Sequence, residues 1–193
     1  PQDVQGWTYD FPIDFFARRV HHIRRQAPDA REIVNAVALL REAKRPVIIA
    51  GGGVQYSLAV DELTAFAEKY DIPVVETIAG RANFLADHPL NIGPIGVTGS
   101  DSANAIAERA DLIIAVGTRL QDFTTGSWTA FDKKARIIGV NVARYDAMKH
   151  MSTPVVGDAK LAIEQLSNTA HGYCTPKDWL KFAQDEREKW DEY

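Results

Sequence analysis

Short apolar, largely β-branched runs recur along this chain with helix-patterned segments between them, and that alternation restricts its fold more than any other feature. The runs are Val47-Ile48-Ile49-Ala50, Ile72-Pro73-Val74-Val75-Glu76-Thr77, Leu112 to Val116, Ile137 to Val142 and Val155-Val156. Runs without regular polar alternation suit strands covered on both faces. A further short strand falls near Ile92, inside a loop-like, glycine-rich stretch over 79–99.

The intervening segments read as helices. Asp29 is placed to cap the first one, and Glu32 to complete a capping box. Ile33, Val37 and Leu40, with Val34 and Ala38 beside them, form its expected buried face, and the helix stops near Arg45-Pro46. Residues 58–70 place Leu63, Phe66, Ala67 and Tyr70 on one side. Ser100 or Asp101 opens a helix through Arg109, and another covers 158–167. A last amphipathic helix over 176–191 carries Trp179, Phe182, Ala183 and Trp190 on one stripe. Five or six strands alternating with helices predict an α/β fold, a parallel sheet with helices on both faces and right-handed crossovers. The domain spans 29–169, with an N-terminal interdomain arm over 1–28 and a C-terminal arm and helix over 170–193.

Composition removes several functions. A net charge of −4 withdraws the attraction that non-specific nucleic-acid binding relies on, so no nucleic-acid partner is expected. The basic stretch Arg18 to Arg25 is short and interrupted by apolar residues, and reads as part of a linker arm. No apolar run approaches the roughly 18 residues that cross a bilayer, so no membrane association is expected. One cysteine, Cys174, suits a reducing, cytoplasmic location. The first residue is Pro1 rather than Met, which reads as a piece of a longer chain.

In an open parallel sheet, ligands bind beyond the carboxyl ends of the strands. Gly51-Gly52-Gly53, Gly117-Thr118-Arg119 and Asn141 fall there and are the expected lining of a strand-end cleft. Three readings of the glycine triplet stay open: an NAD site, another nucleotide cleft, or a tight turn. Tyr56 stands where the dinucleotide fingerprint needs its third glycine. Glu76 ends the next strand, where a ribose-binding acid would sit. Gly157-Asp158 reads as a capped helix start rather than a magnesium motif. No metal site is expected, since the five histidines lack ligand spacing. No catalytic set is expected either: Ser57, Ser100, Ser102 and Ser127 lie in no nucleophile elbow.

The ordered series Ala43 to Gly53, Ile72 to Thr77, His88-Pro89-Leu90, Ala110 to Arg119 and Val156-Gly157-Asp158-Ala159 resembles the central domain of thiamine diphosphate-dependent enzymes. That group contains acetohydroxyacid synthase and pyruvate oxidase. The resemblance covers roughly residues 30–168. It implies a six-stranded parallel Rossmann-like sheet in the middle of a three-domain subunit. It also implies that thiamine diphosphate and Mg2+ are held by N- and C-terminal thiamine-binding domains outside this chain, which would be inert alone. In some members the central domain binds FAD or ADP at the strand ends; in many it is scaffold. A homodimer or tetramer is implied for the whole enzyme.

The stretch Gly117 to Thr125 narrows the branch. Acetohydroxyacid synthases carry a similar stretch with an arginine where Phe123 stands, and that arginine helps to hold the substrate's carboxylate. A phenyl ring cannot replace a bidentate guanidinium, so Phe123 favours an uncharged substrate. Asp122 and Phe123 are expected on the loop facing the neighbouring domain's active site, with Arg119 and Asp122 paired to fix it. Together with Gly53 to Ser57, Gly96 to Ser100 and Ala143 to Lys149, this stretch looks like the branch of the family that hydrolyses a C–C bond of a small cyclic dione in myo-inositol catabolism. Pro1 to Gln5 and Arg18 to Arg25 are similar to that branch's interdomain linker. The alternatives are an acetohydroxyacid synthase-like enzyme with FAD here, or a free-standing NAD-binding module. Trp7, Phe11, Trp179 and Trp190 are expected to pack on the absent domains.

Overall fold

The computed structural model describes residues 2–192; Pro1 and Tyr193 lie outside the described residues. In chain order the elements are α1 (Gln2–Gln5), α2 (Ala30–Glu42), β1 (Pro46–Ala50), α3 (Gly52–Tyr56), α4 (Val60–Tyr70), β2 (Val74–Glu76), β3 (Asn91–Pro94) and α5 (Asp101–Arg109). They continue with β4 (Leu112–Val116), α6 (Asp122–Thr125), β5 (Arg136–Asn141), α7 (Arg144–Ala147), β6 (Thr153–Val156), α8 (Ala159–Thr169) and α9 (Lys177–Asp191). Six parallel strands lie in the order β3-β2-β1-β4-β5-β6. The order reverses between β1 and β4, so the crevice that such sheets use for ligands lies at the carboxyl ends of those two strands.

Alternation along β1 divides the core. Ile48 and Ala50 face a layer built on Leu40, Leu63, Phe66 and Ile163 from α2, α4 and α8. Val47 and Ile49 face Ile106, Ala107, Trp179 and Ala183 from α5 and α9. Successive side chains on a strand point to opposite faces, which is why an unbroken apolar run fills both layers.

Three helix details differ from the sequence reading. On α2 the buried stripe is Ile33, Ala36, Val37 and Leu40, whereas Val34 and Ala38 face solvent. At 100° per residue those two positions sit well off the stripe. Asp29 caps the helix through the Arg31 N–H at 2.7 Å. Glu32 does not close a capping box: its carboxylate accepts the Val156 N–H at 2.7 Å. Val156 belongs to edge strand β6, whose outward N–H groups have no strand partner, so the helix covers that edge. The helix also ends at Glu42, short of Arg45-Pro46, because the Asp111 carboxylate captures the Lys44 and Arg45 N–H groups at 3.0 and 2.9 Å.

Trp179 does not await another domain. It is 4% exposed, and its indole N–H donates to the Pro46 carbonyl at 2.8 Å. Helix α9 lies against α5 and closes the second layer, so this ring belongs to the core, while Trp190 near the helix end remains 39% exposed. Trp7 and Phe11 are exposed as expected, and Tyr9, Phe11, Phe15 and Phe16 cluster among themselves. The arm meets the domain at Arg25, whose guanidinium donates to the Ser57 carbonyl at 2.6 Å and to Asp158 at 2.7 Å. No helix among the described residues is long and apolar enough to cross a membrane.

Candidate functional site

At the β1–β4 crevice the glycine triplet meets another backbone. The Gly51 N–H donates to the Val116 carbonyl at 2.8 Å and the Gly53 N–H to the Gly117 carbonyl at 2.9 Å. A Cβ on Gly53 would stand 2.6 Å from the Gly117 Cα, so only glycine allows the two turns to cross. Gly117 itself has φ 62°, a left-handed conformation that favours glycine. Two of the N–H groups that a phosphate would need are therefore already engaged. From the other side Asn83, fully buried, donates to the Gly51 carbonyl at 2.8 Å, while its carboxamide oxygen has no partner. This asparagine lies in the irregular 79–99 stretch, and no pattern in the sequence signals it.

Beyond the crossing is a cleft of about 210 Å³, smaller than the roughly 300 Å³ at which small-molecule sites begin. Gly52, Gly53, Gly117, Thr118 and Arg119 line it, with Phe123 at its mouth. Gly51 and Asn141, expected in the cleft, are not part of its lining. Asn141 braces the loop instead, donating to the Thr118 carbonyl at 3.1 Å and accepting the Ala143 N–H at 2.9 Å. Tyr56, Thr77, Ile78, Ala79, Ile95, Gln121 and Thr124 also line it, and the sequence reading did not place them there. Their signal was position: Thr77 and Ile78 directly follow β2, and Ile95 follows β3.

Arg119 does not pair with Asp122. Leu120 turns inward with φ 45° and is buried, which leaves Arg119 and Gln121 side by side, and the guanidinium donates to the Gln121 side-chain oxygen at 3.1 Å. Asp122 opens α6 and stays exposed. Lys149 holds the same loop from outside, donating to the Arg119 carbonyl at 3.1 Å. Phe123 is 60% exposed, with its carbonyl accepting the Val97 N–H at 2.8 Å.

Glu76 is turned away from the cleft. It is 3% exposed and accepts the Phe84 N–H at 2.9 Å, and burial pushes its carboxyl above the ordinary glutamate value. A hollow shared with Arg81, Asn91 and Arg187 lies beside it, so it is not placed to meet a ribose at the triplet. Asp158 caps α8 as expected, accepting the Lys160 N–H at 3.1 Å. The serines are structural: Ser57 accepts the Ala159 N–H, Ser100 caps α5, and Ser102 donates to the Ile92 carbonyl. Among the described residues no three His, Cys, Asp or Glu side chains gather to hold a metal ion. The lining of the strand-end cleft carries no carboxylate, so it does not fit thiamine diphosphate with Mg2+, which needs hard oxygen ligands beside a diphosphate.

The chain matches the thiamine pyrophosphate enzyme central domain over residues 33–166. It is 49% identical over 175 residues to a 3D-(3,5/4)-trihydroxycyclohexane-1,2-dione hydrolase of Geobacillus thermodenitrificans, covering 91% of this chain and 27% of that protein. The hydrolase of the same name from Bacillus subtilis is 48% identical over 89% of this chain and 27% of its own length. The one from Clostridium tetani is 45% identical over 98% of this chain and 30% of its own length. The chain thus spans less than a third of the length of these curated relatives.

Proposed function

This chain belongs to the thiamine pyrophosphate enzyme family, as a central domain, and from that premise we propose that it is the scaffold of a hydrolase that opens the ring of 3D-(3,5/4)-trihydroxycyclohexane-1,2-dione in myo-inositol catabolism. The observation that carries this reading is the 45–49% identity to hydrolases of that name across 89–98% of the chain. In this proposal thiamine diphosphate and Mg2+ are bound by the enzyme's own N- and C-terminal domains. Thiamine diphosphate supplies an electron sink for C–C cleavage when bound. This chain's residues hold the strand-end loops and turn Phe123 toward the neighbouring active site. A phenyl ring offers a carboxylate nothing and suits an uncharged dione.

The strand-end cleft serves no FAD or ADP in this reading. The engaged Gly51 and Gly53 N–H groups and the small volume support that assignment. The exposed arm aromatics are covered by the enzyme's other domains or by a second subunit of a cytoplasmic homodimer or tetramer. The test uses the full-length protein with thiamine diphosphate and Mg2+, offered the cyclic dione and, separately, pyruvate. Ring opening without acetolactate is expected. Acetolactate with the dione untouched would overturn the substrate assignment, and stoichiometric flavin in the purified protein would overturn the empty cleft.

A further inference from the structure

We propose that Asn104 is a positioning residue, setting a substrate-facing wall made by Val97 and Phe123. The inference rests on the hydrolase reading for its substrate but on local geometry for its mechanism. Val97 is on the loop that leaves β3 and Phe123 on the short helix α6 after β4, and β2 and β1 separate those two strands in the sheet. The two segments nevertheless meet over the strand ends, where the Val97 N–H donates to the Phe123 carbonyl at 2.8 Å. One hydrogen bond between two surface segments contributes only about 1 kcal/mol and cannot by itself hold such a bridge.

The Gly99 N–H closes the Val97 loop on the Gly96 carbonyl at 2.9 Å, and Asn104 adds two bonds that tie the loop to a helix. Asn104 stands on α5, and its carboxamide accepts the Gly96 N–H at 3.0 Å and donates to the Gly96 carbonyl at 3.0 Å. Both ends of the amide are engaged on one residue, which an aspartate or a leucine could not reproduce. Gly96 has φ 112°, and a Cβ there would come within 3.1 Å of the Thr124 Cα, so the loop lies directly on the segment it supports. The order of support runs from α5 to Gly96, to Val97, to Phe123.

On this fixed backbone Val97 and Phe123 are 66% and 60% exposed. Each presents an apolar side chain to solvent from a braced backbone, which a binding wall needs, since side chains on a loose loop lose the geometry. The ligand class that fits is a neutral polyhydroxylated ring, its C–H face against the phenyl group and its hydroxyls turned elsewhere.

The experiment compares Asn104→Asp, Phe123→Ala and the double variant in the full-length holoenzyme. Aspartate keeps an acceptor for the Gly96 N–H but sets an oxygen against the Gly96 carbonyl. Asn104→Asp is expected to raise KM for the dione roughly tenfold with kcat within about twofold, and the double variant to be no worse than Phe123→Ala. Amide exchange in peptides over 95–99 and 121–126 should accelerate while thiamine diphosphate affinity is retained. Faster exchange with an unchanged KM, or additive effects in the double variant, would overturn the positioning role. Unchanged exchange would overturn the clamp itself. If no variant nor the parent opens the dione, the hydrolase reading fails, and the exchange result still decides the clamp.

Discussion

Two turns at the strand-end edge carry a strand into a helix through glycine, yet they use the freed backbone groups in opposite ways. Between β1 and α3, at the centre of the sheet, the Gly51 and Gly53 N–H groups bond to carbonyls of the neighbouring β4 turn, and no side chain caps the helix. Between β6 and α8, at the sheet edge, Asp158 caps the helix with its side chain and also holds Arg25 of the arm. Gly157 has no room for a Cβ there because Pro28 and Gln26 of that arm lie across it. Glycine in each of these turns answers a close backbone approach. What differs is the approaching segment: a core turn in one case, the arm in the other.

The largest effect should come from breaking the central crossing. Gly53→Ala puts a methyl 2.6 Å from the Gly117 Cα, in a turn anchored to β5 by the Gly117 N–H on the Val140 carbonyl, and should cost more than about 2 kcal/mol in a denaturant titration. A loss below about 0.5 kcal/mol would mean the crossing can open, and would restore the triplet as a ligand site.

Gly157→Ala is the matched change at the edge, with a methyl 2.8 Å from the Pro28 nitrogen. Here the arm can move away, so the stability loss should be only about 1 kcal/mol. Trypsin should instead cut faster between Arg18 and Arg25. A loss as large as that of Gly53→Ala, with no change in cleavage, would show that the arm is an integral part of the fold.

The smallest effect concerns Glu76, at the end of β2, where burial raises the carboxyl above its ordinary value of 4.5. The folded state then binds the proton more tightly than the unfolded chain. Stability from this group is fully present below the ordinary value and is lost as pH rises through the raised one. Glu76→Gln keeps an acceptor for the Phe84 N–H, so it should flatten the stability profile in that window and be at least as stable as the parent at pH 7. A less stable variant at pH 7 would show that attraction to Arg81 outweighs burial.

The lining of the strand-end cleft was legible in part, and the pattern of misses is physical. Gly52, Gly53, Gly117, Thr118 and Arg119 were found because topology alone places residues that follow buried strands at the strand ends. Gln121 as the partner of Arg119 was not legible, since it depends on the inward turn at Leu120. Asn104 and Asn83 were not legible either. Their partners, Gly96 and Gly51, lie 8 and 32 residues away and come together only through the fold.

By itself the sequence determined the α/β class, the strand runs, the caps at Asp29 and Asp158 and the family, because these depend on local periodicity and on short motifs in order. Tertiary structure alone decided which backbone fills the central crevice, that Trp179 closes the core, and that Glu32 serves the edge strand instead of its own helix. Each of those depends on which distant group arrives at a given hydrogen-bonding partner or apolar surface, and neighbours in sequence carry no record of that arrival.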